Sequence, residues 1–383
     1  MIPYGRQDIT KDDIARVIAT LKSDFLTQGP QVPAFEAAVA QKVSAAHAVA
    51  VNSATSALHI ACLALGLGPG DWLWTSPITF VASANCGVYC GAQVDFVDID
   101  PATFNMDPVA LEAKLVAAEA AGTLPKVVIP VDLCGQSAEL KAMRALADRF
   151  GFAIIEDASH AIGARYEGHY VGDGRYADIT IFSFHPVKII TTAEGGVAVT
   201  NDPVLARRMH LLRSHGITRE PGEMTHESDG PWYYQQIDLG YNYRMTELQA
   251  ALGVSQMLRL DTYVAARTVR AAHYDEALAE LALRCPFQAP ENASSWHLYV
   301  IQLEDSCRHR AVFEALRADG IGVNLHYIPV HTQPYYQAMG FAAGDFPVAE
   351  DYYTRSISIP LYATMTDDQQ ETVITALNRH VGA

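Results

Sequence analysis

Phe152 to Ala161 reads FAIIEDASHA, and Asp178 to Lys188 reads DITIFSFHPVK. Each starts as a short run rich in β-branched and aromatic residues, the composition of a strand in a sheet covered on both faces, and each run gives way to polar residues. Asp157 lies at the end of the first run, and Lys188 follows the second. Open α/β sheets bind their ligands beyond the carboxyl ends of the strands. The carboxylate and the amine are therefore expected on one rim.

Working outward from this pair, further strand candidates appear at AVAV ending at Val51, Trp72 to Thr75, VDFVDI ending at Ile99, KVVIPV ending at Val131 and GVAVT ending at Thr200. Alanine-rich helical patterns separate most of them, which predicts an α/β architecture with a mainly parallel sheet and helices on both faces. Gly66, Gly68 and the Pro69-Gly70-Asp71 turn are expected to stop the first of these helices. Arg219 to Asn242 breaks the rhythm with Pro, Gly, acids and adjacent aromatics, and reads as an ordered functional loop. Thr246 to about Leu283 reads as one long helical segment. Strand, helix and strand follow, then a last helix from Thr366 to His380, forming a smaller α+β part. The expected organisation is an N-terminal arm over 1–30, a large domain over 31–255 and a small C-terminal domain over 256–383.

Length and charge narrow the classes further. A chain of 383 residues, half of them hydrophobic, can bury a large core. The formal net charge of -16 argues against a nucleic-acid partner, which would require a basic footprint, but leaves room for a single anion held at a helix start. The opening MIPYGRQDIT has neither a basic nor an apolar leader pattern, and the apolar runs are broken before membrane-spanning length, so a cytoplasmic protein is expected. Cys62, Cys86, Cys90, Cys134, Cys285 and Cys307 form no close pairs, and are read as reduced thiols with no metal site.

A lysine in a loop is ordinarily a solvated charge, and an aspartate at a strand end is ordinarily a cap. Together they match what pyridoxal chemistry requires: an amine that condenses with the cofactor's aldehyde, and a carboxylate that keeps its pyridine nitrogen protonated. An amine shielded from water is also expected to have a depressed pKa. A third requirement is a phosphate cradle. NSATSALHIA, Asn52 to Ala61, offers a strand end, small side chains and a helix start with free N–H groups, and Ser183 is a candidate second donor.

These motifs, together with FLTQGP (Phe25 to Pro30), SPITFVASAN (Ser76 to Asn85), FVDID, TTAEGG, RSHG (Arg213 to Gly216) and GYNYRMTELQAALG (Gly240 to Gly253), resemble the DegT-type sugar aminotransferases over essentially the whole chain. That family is a branch of the fold-type I pyridoxal 5'-phosphate enzymes. The resemblance implies that Lys188 anchors the cofactor, Asp157 binds its ring nitrogen, His160 borders its phenolic oxygen and Phe80 stacks on its face. It also implies that Ala54, Thr55 and Ser183 hold the phosphate, helped by Asn242 from the partner subunit of a homodimer with shared active sites. For a nucleotide-sugar substrate it points to Tyr4, to Asp24, Phe25, Leu26 and Thr27, and to His326, Tyr327, Ile328 and Pro329. His185 either touches substrate or buttresses the turn before Pro186.

Within the family, IPYGRQ, SFHPVK-IITTAEGG, PWYYQQ and NLHYIPVH (Asn324 to His331) resemble the branch that aminates C4 of a UDP-linked 2-acetamido-2,6-dideoxy-4-keto-hexose in pseudaminic acid biosynthesis. The amino donor implied is an amino acid, L-glutamate by resemblance. Ile189, where relatives commonly carry proline, and Cys134 depart from the pattern without removing a chemical group. Three other readings stay open: amination of another nucleotide-linked keto-sugar (dTDP-linked or 3-keto), sugar dehydration on the same scaffold, and a non-catalytic cofactor-binding regulator. Dehydrating relatives replace the anchoring lysine with histidine, whereas this chain keeps Lys188.

Overall fold

Seven strands make the central sheet, in the order β1 (His47–Val51), Gly196–Thr200, Ile179–Ser183, β5 (Ala153–Asp157), β4 (Val127–Ile129), β2 (Trp72–Thr75) and β3 (Gln93–Phe96). Only Gly196–Thr200 runs antiparallel to its neighbours. In this computed structural model the described residues are 1–382, and Ala383, the last residue of the expected small domain, lies outside them. The sequence identified all seven strands, with three ends extended too far, the one expected at Phe184 by a single residue. β3 stops at Phe96, after which the chain turns away to bridge Ile99 with Met106; β4 stops at Ile129 because Pro130 has no N–H for the ladder.

Alternation along the strands explains why helices cover both faces. Val49, Val51, Leu73, Ile129, Ile155 and Ile181 pack with residues of α3 (Ala54–Ala64) and α4 (Ala82–Tyr89). On the opposite face, Ala48, Ala50, Phe182, Val197 and Val199 pack against α2 (Gln31–Val43) and Glu247–Met257, while Trp74, Val128 and Ile154 lie under Pro108–Ala121 and Leu140–Phe150.

A second sheet of three antiparallel strands, Leu283–Arg284, Tyr299–Leu303 and Ser356–Ile359, has its own core of Tyr299, Ile301, Leu303, Leu316, Ile357 and Leu377. The single helix expected from Thr246 to Leu283 is instead two, Glu247–Met257 and Leu260–Ala277, followed by the strand at Leu283. At the break, Arg259 leaves helical geometry, and its guanidinium reaches Asp13 at 2.6 Å and the Tyr263 hydroxyl at 2.8 Å. Uninterrupted helical periodicity concealed this tertiary anchor.

One link between the two sheets positions the site. After Asn324 the chain returns to the large sheet, where Val330 is buried in its core and donates its N–H to the Pro77 carbonyl at 2.8 Å. That return carries His326 and Tyr327 over the rim beside β5. Among the described residues, no helix is long and apolar enough to cross a membrane.

Candidate active site

Asp157, the last residue of β5, is buried. Its carboxylate accepts the Ser83 hydroxyl at 2.6 Å on one oxygen; the other accepts the Ser159 hydroxyl at 2.5 Å and the Ser159 N–H at 3.2 Å. Ser83 is itself 2.8 Å from the Thr79 hydroxyl. Helix α4 thus supports the acid, and the turn after β5 fixes its rotation.

Lys188 follows the strand Ile179–Ser183 in a turn closed by its own N–H to the His185 carbonyl at 2.9 Å. Burial lowers its pKa to about 8, against the opposing pull of Asp157 and then Cys134. Its ammonium has no hydrogen-bond partner among the described residues. The two groups singled out in the sequence therefore share one electrostatic neighbourhood.

His160 and Tyr327 form a second wall. The Cys134 N–H donates to His160 Nδ1 at 3.2 Å, which requires the proton of the neutral ring to sit on Nε2, 3.1 Å from the Tyr327 hydroxyl. Burial, then the nearby Lys188 charge, holds His160 well below its usual pKa, so the neutral form is the one present. Both ring nitrogens are engaged within the chain. Cys134 adopts φ 62°, the left-handed geometry that turns its N–H toward the ring, and burial pushes its thiol up to about 12.

At the end of β1, Ser53 caps α3 by accepting the Ser56 N–H at 3.1 Å. The N–H groups of Ala54 and Thr55 precede the first intrahelical bond and have no acceptor among the described residues. The Ser183 hydroxyl likewise has no partner. Gly196 lets the helix start settle onto the sheet, since a Cβ there would lie 2.5 Å from the Ala54 nitrogen.

The remaining candidates divide into two groups. Phe80 is exposed at the foot of α4, with its ring 6.3 Å from that of Tyr327. Tyr4 lies 5.3 Å, ring to ring, from His326, whose Nδ1 is 2.8 Å from the Ser358 hydroxyl. Pro329 is buried and Ile328 exposed on the same return segment. His185 is exposed, 3.9 Å from Glu194. Asp24, Phe25, Leu26 and Thr27 are exposed and fastened elsewhere, the Leu26 carbonyl accepting the Glu247 N–H at 3.0 Å. The Asn242 side chain is exposed too, and nothing among the described residues ties it to Lys188 or Asp157.

Sequence reasoning did not single out Ser83, Ser159 or His297. His297 packs against His160 with the rings tilted by 47° and 4.4 Å between their centres, and burial, then His160, pushes its pKa well down. Ser83 stands inside SPITFVASAN and Ser159 inside EDASHA, so the motifs contained them. Their role depends on which way each hydroxyl points. His297 carried no signal, because it arrives from the second sheet.

The model of the DegT/DnrJ/EryC1/StrS aminotransferase family matches residues 7–378. The chain belongs to that family. It is 40% identical over 382 residues, 98% of this chain and 96% of the relative, to the spore coat polysaccharide biosynthesis protein SpsC of Bacillus subtilis. Among solved structures it is similar to Helicobacter pylori PseC, an aminotransferase involved in the biosynthesis of pseudoaminic acid, with TM-score 0.91, 30% identity and coverage of 100% of this chain and 99% of that one. It is also similar to the PLP form of the putative sugar aminotransferase Spr1654 from Streptococcus pneumoniae, with TM-score 0.87, 29% identity and 99% of each chain covered. The protein is a pyridoxal-phosphate-dependent sugar aminotransferase of fold-type I. Its residues fit that cofactor: an unpartnered amine, a carboxylate held by two serines, and a helix start and a serine hydroxyl with donors to spare.

Proposed function

We propose that this aminotransferase moves an amino group from an amino acid, L-glutamate by resemblance, to C4 of a UDP-linked 2-acetamido-2,6-dideoxy-4-keto-hexose in pseudaminic acid biosynthesis. The observation that carries the chemistry is the convergence of Asp157 and the unpartnered Lys188 beside the open start of α3. The likeness to PseC along the whole chain supports the substrate.

When bound, pyridoxal phosphate supplies an electron sink for the carbon that loses its proton. The chain's own groups do the rest. Lys188 anchors the cofactor, and when free its Nζ takes the proton from the donor's α-carbon and later returns one to C4 of the sugar. Asp157, fixed by Ser83 and Ser159, holds the proton on the ring nitrogen. Ala54, Thr55 and Ser183 bind the phosphate, and Phe80 covers a ring face. His160, engaged at both nitrogens, orders Tyr327 and the Cys134 turn beside the phenolic oxygen.

Asn242 acts on the pocket of a second subunit, a reading supported by its exposure, and Asp24 to Thr27 contact the nucleotide sugar. Tyr4, His326, Tyr327, Ile328, Pro329 and His185 line the approach of the nucleotide sugar. Arm, large domain and small domain divide near residues 30 and 255, and a cytoplasmic location suits a nucleotide-sugar substrate.

A second reading is amination of a different nucleotide-linked keto-sugar, and the 40% identity to the spore coat polysaccharide protein favours it. Both are tested by incubating the protein with glutamate and a panel of UDP- and dTDP-linked 4-keto and 3-keto sugars, with products read by mass and NMR. A 4-amino product from the UDP-linked 2-acetamido sugar alone supports the first reading. Turnover only with a dTDP-linked or 3-keto sugar replaces it with the second.

A further inference from the structure

The hydrogen bonds along the second wall of the pocket can run in only one direction. A backbone N–H is a donor and nothing else, so the contact from Cys134 to His160 Nδ1, at 3.2 Å, makes that nitrogen an acceptor. The one proton of the neutral imidazole then sits on Nε2 and is donated to the Tyr327 hydroxyl at 3.1 Å. Tyr327 Oη is thereby an acceptor toward His160, and its own proton points elsewhere. The described residues offer that proton no acceptor. Burial pushes the hydroxyl well up from its ordinary value, so it keeps the proton it has to give.

Both ends of this relay of donors are held in place. The Cys134 carbonyl accepts the Leu298 N–H at 3.3 Å, and the His160 carbonyl accepts the Ser295 hydroxyl at 3.0 Å. The segment leading into the strand Tyr299–Leu303 therefore grips the first donor and the imidazole together. At the other end, the Tyr352 hydroxyl donates to the His326 carbonyl at 2.7 Å, which with the Val330 bond to Pro77 fixes the segment that carries Tyr327. Tyr327 itself is half-buried and borders the exposed Phe80 ring. A donor held this firmly, with no acceptor in its own chain, awaits one that arrives with a bound molecule.

The order of groups along the rim says which atom that is. The sheet order runs β1, Gly196–Thr200, Ile179–Ser183, β5, β4. The open start of α3 follows β1 and Ser183 ends its own strand, so the cradle lies to one side of Asp157. Cys134 follows β4 and lies to the other side. In pyridoxal phosphate the phosphate arm, the aldehyde and the phenolic oxygen are carried on consecutive ring carbons, in that order. A ring with its phosphate in the cradle and its aldehyde at Lys188 turns its phenolic oxygen toward the Cys134 side, where the Tyr327 proton is free.

We infer that the Tyr327 hydroxyl is the hydrogen-bond donor to the phenolic oxygen of the cofactor, and that His160 acts on that oxygen only through Tyr327. The inference rests on the cradle assigned above. It differs from the contact that the family resemblance implies, in which His160 borders the oxygen itself. Tyr327 is then a catalytic residue, because a donor on that oxygen stabilises its negative charge and sets the pH at which the bound cofactor gives up its proton. His160 is a positioning residue.

The test reads the visible absorbance of the loaded protein, without substrate, as a function of pH. Tyr327→Phe is expected to raise the midpoint of that titration by about one unit or more, since the deprotonated form carries the less compensated charge on the oxygen that loses its donor. His160→Gln presents an amide oxygen to the Cys134 N–H and an amide N–H to Tyr327, so the relay keeps its direction and the midpoint is expected to stay at the parent value. His160→Leu breaks the relay and is expected to raise the midpoint, with no further rise when combined with Tyr327→Phe. Asp157, Cys134, Lys188, His297, His326 and Tyr4, the other titratable groups around the pair, are the same in every variant. Should His160→Leu fold poorly, 3-deoxypyridoxal phosphate, which lacks the acceptor, supplies a second measure. The parent is expected to bind it roughly tenfold more weakly than pyridoxal phosphate, and Tyr327→Phe to lose most of that preference. The inference is overturned if Tyr327→Phe takes up the cofactor with an unshifted midpoint or keeps the full preference for pyridoxal phosphate. It is overturned too if the double variant rises beyond Tyr327→Phe alone, which places His160 on the oxygen directly. Failure of the parent to take up the cofactor at all overturns the cradle as well, so the two readings fail separately.

Discussion

The two sides of the pocket differ in how much of their support one chain provides. The β5 side is largely paired within the chain: Asp157 has Ser83 and Ser159, His160 has Cys134 and Tyr327, and the unpartnered Lys188 stands among them. The residues proposed for the other side, Asp24 to Thr27 and Asn242, are exposed, as are Trp232 at 72% and Leu239 at 74% nearby in sequence. Buried polar groups need partners, so a network paired inside one chain marks chemistry that the chain organises alone. Exposed aromatic and apolar residues flanking a motif leave that surface without such a network in the chain itself, which is where the proposed second subunit would act.

Lys188→Ala is the most severe way to break the contrast. It removes the proposed anchor and proton carrier while leaving the hydrogen bonds around Asp157 and His160 in place. Turnover is expected to fall by roughly a thousandfold or more, with unchanged circular dichroism. Normal transamination by the purified variant would refute the assignment.

Asn242→Ala probes the other side. Loss of one phosphate hydrogen bond is expected to weaken cofactor retention roughly tenfold. If the residue serves the partner's pocket, mixing Asn242→Ala with Lys188→Ala chains leaves hybrid dimers with one intact site and restores part of the activity. No recovery in the mixture would assign Asn242 to its own chain or to no site at all.

Much of the paired side was legible in the sequence, because strand ends and loop motifs are local features. Asp157 ends a strand that composition reveals and Lys188 follows another, and Ser53 begins α3 as a cap should. What escaped reading depends on packing between distant segments. His297 comes from the second sheet to lie on His160, and Arg259 interrupts a helical pattern because Asp13 lies opposite.

Ser83→Ala sharpens the comparison with a smaller effect. Asp157 loses one of three donors while the Ser159 turn still holds it, so the acid is loosened and not lost. The cost is about 1 kcal/mol, roughly a fivefold fall in kcat. A fall as large as that from Asp157→Asn would mean that Ser83 alone orients the carboxylate.

The smallest effect is one of pH, and its direction follows from burial. With Lys188 lowered to about 8 from 10.5, its unprotonated fraction rises from about a tenth at pH 7 to half at pH 8. The rate at which cofactor-free protein attaches pyridoxal should rise about fivefold over that unit and level off above it, as followed by stopped-flow absorbance. Stability of the cofactor-free protein carries the same signature. Between about pH 8 and 10.5 the unfolded chain binds a proton that the folded chain does not, so Lys188 makes stability rise with pH across that window; below it, the full cost of burying the charge is present. Lys188→Met should therefore be more stable than the parent at pH 7 in denaturant melts, and the difference should shrink as pH rises. Because Asp157 opposes the lowering, Asp157→Asn should move the attachment profile to still lower pH. A profile unmoved by that change would separate the two groups electrostatically and break the pairing on which the β5 side depends.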